Sequence, residues 1–350
     1  MQIKWNKKYF EIVFLVVVFG LTLWSVFGGE DLRGTIECMA DADPLYIVLS
    51  IICVVLFILG ESLVIFYLMR TLGDRVAFSH CCLYSFIGFF YSCITPSASG
   101  GQPMQVVAMR KDDIPIPVAT VVLAIVTVTY KLVLVVMGVG VLCVHPPRVM
   151  EYLDPVISVV YLGLALNVVC IVGLLLLVFH DSGVKKIALR VVYFIHKVHP
   201  FRNLKKQLDR VERMTSQYQG TASFFRTHKH VIVHAFLITV VQRVLLFSIA
   251  WFTYRAFGLE QESFGLIVTL QAMISVAVGM LPLPGGMGIS ETLFLRIFEP
   301  IFGATLILPG MVISRGISYY TQLFISGGMT LAASFIIKEK NSVQKEEKAA

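Results

Sequence analysis

The chain has 350 residues, of which 57% are hydrophobic and only 15% charged, and its formal net charge is +7. Soluble domains are about one-quarter charged, so this composition excludes an ordinary soluble protein and predicts an all-α polytopic membrane protein. The positive charge does not indicate direct nucleic-acid binding, because the basic residues lie in short loops beside apolar runs, where they set topology and meet anionic lipid.

Apolar segments of sufficient length to cross a hydrocarbon core of about 30 Å occur six times. They are residues 10–27, 44–68, 116–144, 156–179, 231–257 and 304–336. We interpret the first as a retained signal-anchor helix, because it follows Lys7 and Lys8 and has no small-residue cleavage site.

Two further apolar stretches are interrupted. Gly, Pro and Ser break the stretch 80–110 at residues 95–101, and Pro and Gly break the stretch 264–298 at residues 282–288. A regular helix does not tolerate such clusters. We therefore expect six spanning helices plus two re-entrant broken hairpins.

The charges of the loops predict the orientation. Lys and Arg are concentrated in the loop 180–230, whereas the first loop is mainly acidic. The positive-inside rule then places both termini and the basic loop in the cytoplasm, in a single transmembrane domain over 1–337 with a short charged tail over 338–350.

When membrane crossings are counted from the basic loop, the first hairpin is predicted to enter the membrane from the cytoplasmic side and the second from outside. The two parts of the chain, about 44–144 and 231–336, are thus predicted to form an inverted repeat. Opposed broken helices in such a repeat are typical of transporters that bind substrate near the midplane.

The hairpin tips are the first group of candidate site residues. Their glycines allow a ligand to approach the backbone closely, and their polar side chains offer hydrogen bonds; a purely structural break is the alternative interpretation. The substrate-binding candidates are Ser97, Ser99, Gly100, Gly101 and Gln102 in the first tip and Pro284, Gly285, Gly286, Gly288 and Glu291 in the second.

Ionisable residues inside apolar spans form the second group, since an unpaired charge there is unfavourable by several kcal/mol. We expect Lys131, Arg243 and Arg315 to receive an anionic headgroup, with Glu291 and Glu61 as charge partners of these cations or of a substrate amine. Tyr319 follows Arg315 by about one turn and is expected to line the same cavity. Internal salt bridges and aromatic packing are the alternatives.

No motif indicates a metal or a cofactor: the chain has no nucleotide-binding glycine pattern, and its seven cysteines lack zinc-type spacing. We therefore predict no cofactor and no soluble catalytic site in this chain.

Three stretches resemble the lysylphosphatidylglycerol synthase transmembrane-region family, and the resemblance covers nearly the whole chain. They are TPSASGGQP at 95–103, LPGGMGISE at 283–291 and SRGISYY at 314–320. In full-length synthases of this kind, the membrane part is linked to flipping of aminoacylated phosphatidylglycerol, and a separate cytosolic domain makes that lipid from lysyl-tRNA. The sequence ends at Ala350 without such a domain, so phosphatidylglycerol lysyltransferase activity is not expected from this chain alone.

The sequence therefore predicts a flippase-like translocase of the cytoplasmic membrane for an anionic or aminoacylated phospholipid. The resemblance further implies a role in surface charge and in resistance to cationic antimicrobial peptides. Two alternatives stay open: a membrane component of a lysyltransferase that works with a separate aminoacyltransferase chain, and a secondary transporter of a small solute. A homo-oligomer is compatible with each of these.

Overall fold

A computed structural model describes residues 37–95, 98–179, 190, 204–281 and 288–332. Within these ranges the regular structure is helical throughout, and five helical stretches are long and apolar enough to cross a membrane. The protein is thus an all-helical polytopic membrane protein. The first predicted span, 10–27, lies outside the described residues.

The first part of the fold contains two long helices separated by two short ones. In chain order they are α1 (Pro44–Thr71), α2 (Phe78–Ile94), α3 (Gly101–Lys111) and α4 (Ile116–Val144). The Asp43 side chain accepts a hydrogen bond from Leu45 N at 2.9 Å, which caps the free N–H groups at the start of α1. The short α2 and α3 occupy the first interrupted stretch, on either side of its break.

The second part begins with a short helix that leads directly into a spanning one. Its elements are α5 (Pro147–Leu153), α6 (Ile157–Phe179), α7 (Leu204–Thr227), α8 (Lys229–Ala256), α9 (Phe264–Val278) and α10 (Ile289–Arg315). A π-helical segment, Gly316–Thr321, follows α10 and continues into helix over 322–332.

The last spanning stretch differs from its predicted bounds. Helix runs from Ile289 to Ala332 with one backbone break at Gly303, where φ is +75°. Only glycine adopts such a φ readily. The helix that follows the second tip and the span predicted at 304–336 therefore meet directly at this glycine, without a separate loop.

The long helices α1 and α8 make the most extensive helix–helix contact in the described part of the chain. Gly60 permits this approach: a Cβ there would lie 2.8 Å from Gln242 Cγ. The Gln242 amide donates to the Phe57 carbonyl at 2.9 Å. This contact holds the middle of α1 in register with the middle of α8.

The amphipathic helix α7 packs across α4 and α6. Its Tyr218 and Phe225 are buried, and the Tyr218 hydroxyl donates to the Leu177 carbonyl at 3.3 Å. Burial raises the pKa of Tyr218, which keeps this donor protonated. By contrast α6 exposes Leu162, Val169 and Leu176, as expected for a helix face in contact with lipid.

Close packing joins α2 and α3 into one unit. Gly101 lies against α2 so tightly that a Cβ there would be 2.6 Å from the Gly88 carbonyl oxygen. At the opposite end of the two helices, Asp112 accepts a hydrogen bond from Tyr84 and pairs with His80 Nδ1 at 2.8 Å. Both ends of the α2–α3 unit are thereby fixed.

Candidate functional site

An ion pair lies where α10 begins after the second break. Gly288, with φ +82°, precedes the helix, and Glu291 lies in its first turn. Glu291 Oε1 accepts a hydrogen bond from Arg315 Nε at 2.8 Å, and Oε2 accepts one from Ser290 Oγ at 3.0 Å. The two charged side chains are only 8% and 17% exposed, respectively. We call Glu291 and Arg315 the tip pair; its carboxylate and its guanidinium neutralise each other.

The tip pair is connected to the first interrupted stretch through Tyr319. The Arg315 guanidinium carbon lies 5.3 Å from the centroid of the Tyr319 ring. The Tyr319 hydroxyl donates to the Cys93 carbonyl, in the last turn of α2, at 2.7 Å. Tyr319 belongs to the π-helical segment, a feature that often marks functional sites in helices.

Two further cations lie near the midpoints of α4 and α8 and share one aromatic ring. The Arg243 guanidinium carbon is 3.5 Å from the centroid of Tyr130, and Lys131 Nζ is 4.9 Å from the same centroid. Lys131 Nζ also donates to the Gly279 carbonyl, just after α9, at 2.9 Å. We call Lys131 and Arg243 the cation pair; both residues are buried, and cation–π contact stabilises them.

Glu61 interacts electrostatically with Arg243, but the two side chains do not form an ion pair. Glu61 Oε1 accepts a hydrogen bond from Gln105 Nε2 at 2.7 Å, and its charge acts on Arg243 at longer range. Among the described residues, no carboxylate oxygen lies within 4 Å of Lys131 or Arg243. Arg243 Nε is buried with no hydrogen-bond partner there.

The other predicted site residues do not join these clusters. Ser99 and Gln102 are exposed, and the Gln102 amide donates to Thr127 Oγ1. Gly100 N donates to Thr95 Oγ1 at 2.9 Å, which closes the first tip locally. The remaining predictions, Ser97, Pro284, Gly285 and Gly286, lie outside the described residues.

Several contributors to the site were not predicted from the sequence. Gln105 follows Gly101 by four residues, so helical spacing places both on one face of α3 and gave a usable signal. Tyr130 is adjacent to Lys131 in an apolar span, a position that ordinarily indicates packing. The carbonyls of Cys93 and Gly279 left no signal in the side-chain pattern.

A family model for the transmembrane region of lysylphosphatidylglycerol synthase matches residues 12–326. The chain belongs to this family. The matched range contains both interrupted stretches, the tip pair and the cation pair. Membership in the lysylphosphatidylglycerol synthase transmembrane-region family, together with the apolar helices, supports a multi-pass membrane component in lysylphosphatidylglycerol metabolism. No curated protein sequence matches the chain.

Proposed function

We propose that this protein is a lipid translocase, which moves an anionic or aminoacylated phospholipid between the leaflets of the cell membrane. The observation that carries the proposal is a reciprocal contact between its two parts. Lys131 from the first part donates to the carbonyl of Gly279 at the second break, and Tyr319 from the second part donates to the carbonyl of Cys93 at the first. Each interruption is thus contacted by a polar side chain from the other part of the chain.

The proposal includes the inverted repeat. In it, α1 and α8 are counterparts, and they make the most extensive contact between described helices. Glu61 and Arg243 occupy corresponding positions near their midpoints. The α2–α3 unit and the pair formed by α9 and the start of α10 would be the two re-entrant hairpins, entering from opposite faces, with the basic loop and both termini in the cytoplasm.

A lipid substrate suits this arrangement better than a soluble one in two respects. Interrupted helices with cations near mid-depth provide electrostatic compensation for an anionic headgroup, whose passage through hydrocarbon is otherwise strongly unfavourable. The family relationship connects the fold to lysylphosphatidylglycerol. Transport of the aminoacylated lipid to the outer leaflet would make that surface less negative and so lower its affinity for cationic peptides. A separate aminoacyltransferase chain would supply the lysylated substrate.

Leaflet exchange in proteoliposomes tests the proposal. Fluorescent phosphatidylglycerol or lysylphosphatidylglycerol is placed in both leaflets, and the fraction accessible to an impermeant quencher is followed with time. We expect exchange faster than in empty vesicles, reduced at least tenfold by Glu291→Gln and by Arg315→Gln because each leaves one charge of the tip pair uncompensated. Arg296→Gln is the matched control, since Arg296 is an exposed cation on the same helix. Folded wild-type protein that exchanges neither lipid faster than empty vesicles contradicts the proposal.

A further inference from the structure

The cation pair has more positive charge than its surroundings balance. Lys131 and Arg243 lie on the same ring of Tyr130, and Glu61 is the carboxylate whose charge reaches Arg243. Two cations against at most one carboxylate charge leave the middle of the bundle with a net positive charge, about +1 or more. Uncompensated charge in such a position is unfavourable by several kcal/mol, which favours a bound counter-anion.

The tip pair provides the contrast within the same molecule. The Arg315 guanidinium contacts a carboxylate oxygen at 2.8 Å, so its charge is already balanced by the protein. The cation pair has no such contact within the described part of the chain. The two charged clusters therefore differ in kind, and the cation pair is the one with capacity for an external anion.

The donors of the cation pair suit an oxyanion. Arg243 Nε is buried and has no hydrogen-bond partner in the described ranges, which leaves this N–H donor available to a ligand. Lys131 Nζ carries three N–H donors, and its hydrogen bond to Gly279 uses one of them. A planar guanidinium beside an ammonium group matches the two non-bridging oxygens of a phosphate ester.

We propose that Arg243 and Lys131, both in contact with the Tyr130 ring, bind the phosphate of an anionic phospholipid headgroup of the phosphatidylglycerol class. A phosphodiester monoanion offsets one positive charge of the cluster. The lysylated headgroup carries net positive charge and would add to it. This inference rests on the proposed lipid function for the source of the phosphate, and it selects the unmodified anionic lipid over its aminoacylated form.

Ligand binding by the full chain in neutral detergent tests the site. Native mass spectrometry would titrate short-chain phosphatidylglycerol, short-chain lysylphosphatidylglycerol and inorganic phosphate in separate arms. We expect phosphatidylglycerol to bind at least tenfold more tightly than either other probe, Arg243→Gln to weaken it at least tenfold, and the exposed control Arg296→Gln to leave it unchanged. Inorganic phosphate that binds as tightly as phosphatidylglycerol, with the same dependence on Arg243, would assign the site to free phosphate and overturn the lipid assignment.

A second variant separates binding from folding, because Arg243 packs between the rings of Tyr130 and Phe57. Arg243→Lys keeps the charge and loses the forked donors, so we expect weakened but measurable binding. For each variant, the unfolding temperature is measured with and without phosphatidylglycerol, since a bound ligand raises it only where the site is intact. Binding by both Arg243 variants within twofold of wild type overturns the inference.

The exchange assay distinguishes the two proposals. If the wild-type protein exchanges lipid and Arg243→Gln exchanges it equally fast, the translocase proposal stands and the phosphate site is rejected. If phosphatidylglycerol binding depends on Arg243 but the wild-type protein exchanges no lipid, the phosphate site stands and the translocase proposal is rejected.

Discussion

Glu291 and Arg315 lie at opposite ends of α10, on either side of the backbone break at Gly303, yet their side chains meet at 2.8 Å in a largely buried environment. We predict that Arg315→Gln destabilises the protein by about 3 kcal/mol, because it leaves the Glu291 carboxylate buried and unpaired. The double variant Glu291→Gln, Arg315→Gln should lose much less stability than the sum of the two single variants. Unfolding in detergent measures the stabilities of the wild type, both single variants and the double variant. If the losses of stability in the single variants add up to that of the double variant, the two residues are not coupled.

The same two residues show how far side-chain chemistry can be predicted. An intramembrane Glu and Arg are conspicuous in the sequence, so both were recognised as candidates. Which charge would meet which could not be inferred, because the encounter depends on the backbone at Gly303 and on helix rotation up to Arg315. Tyr130 was missed for a different reason: an aromatic residue in an apolar span has the same pattern whether it packs against Leu or supports two cations.

At the scale of elements, the closeness of α2 and α3 depends on glycine. We predict that Gly101→Ala destabilises the protein by about 1–3 kcal/mol, because the added methyl group would collide with backbone and the Ser92 side chain in α2. Gly140→Ala in α4 is the control, since a Cβ at Gly140 meets nothing within 4 Å and alanine favours helix. Thermal unfolding of both variants checks this; equal stabilities would mean that α2 and α3 separate easily to make room.

Helix bounds were predictable where hydrophobicity alone decides them. The predicted 116–144 coincides with α4, and 44–68 differs from α1 only at its end. The junction at Gly303 was less accessible, since the predicted bounds left residues 299–303 between two apolar stretches without showing how the chain continues. The π-helical turn at Gly316–Thr321 was not predicted, because it arises from packing around Tyr319 and has no composition of its own.

At the scale of the whole molecule, the predicted orientation can be tested with the chain's own thiols. Cys143 is exposed near the end of α4, which the predicted topology places outside. In a Cys38→Ser background, we expect an impermeant maleimide to label intact cells, and additional Cys143→Ser to abolish that labelling. Lys111→Cys, at the exposed end of α3, should react only after permeabilisation. Labelling of Lys111→Cys in intact cells would reverse the topology.

The reciprocal contacts at Gly279 and Cys93 have a mechanical consequence. Each interruption is fastened by a side chain that belongs to the opposite part of the chain, so neither can shift without releasing a hydrogen bond to its counterpart. In the proposed translocase, two gates built in this way would not open independently. Loosening of one would be accompanied by rearrangement of the other, so a rocking motion about the α1–α8 contact would couple the two membrane faces.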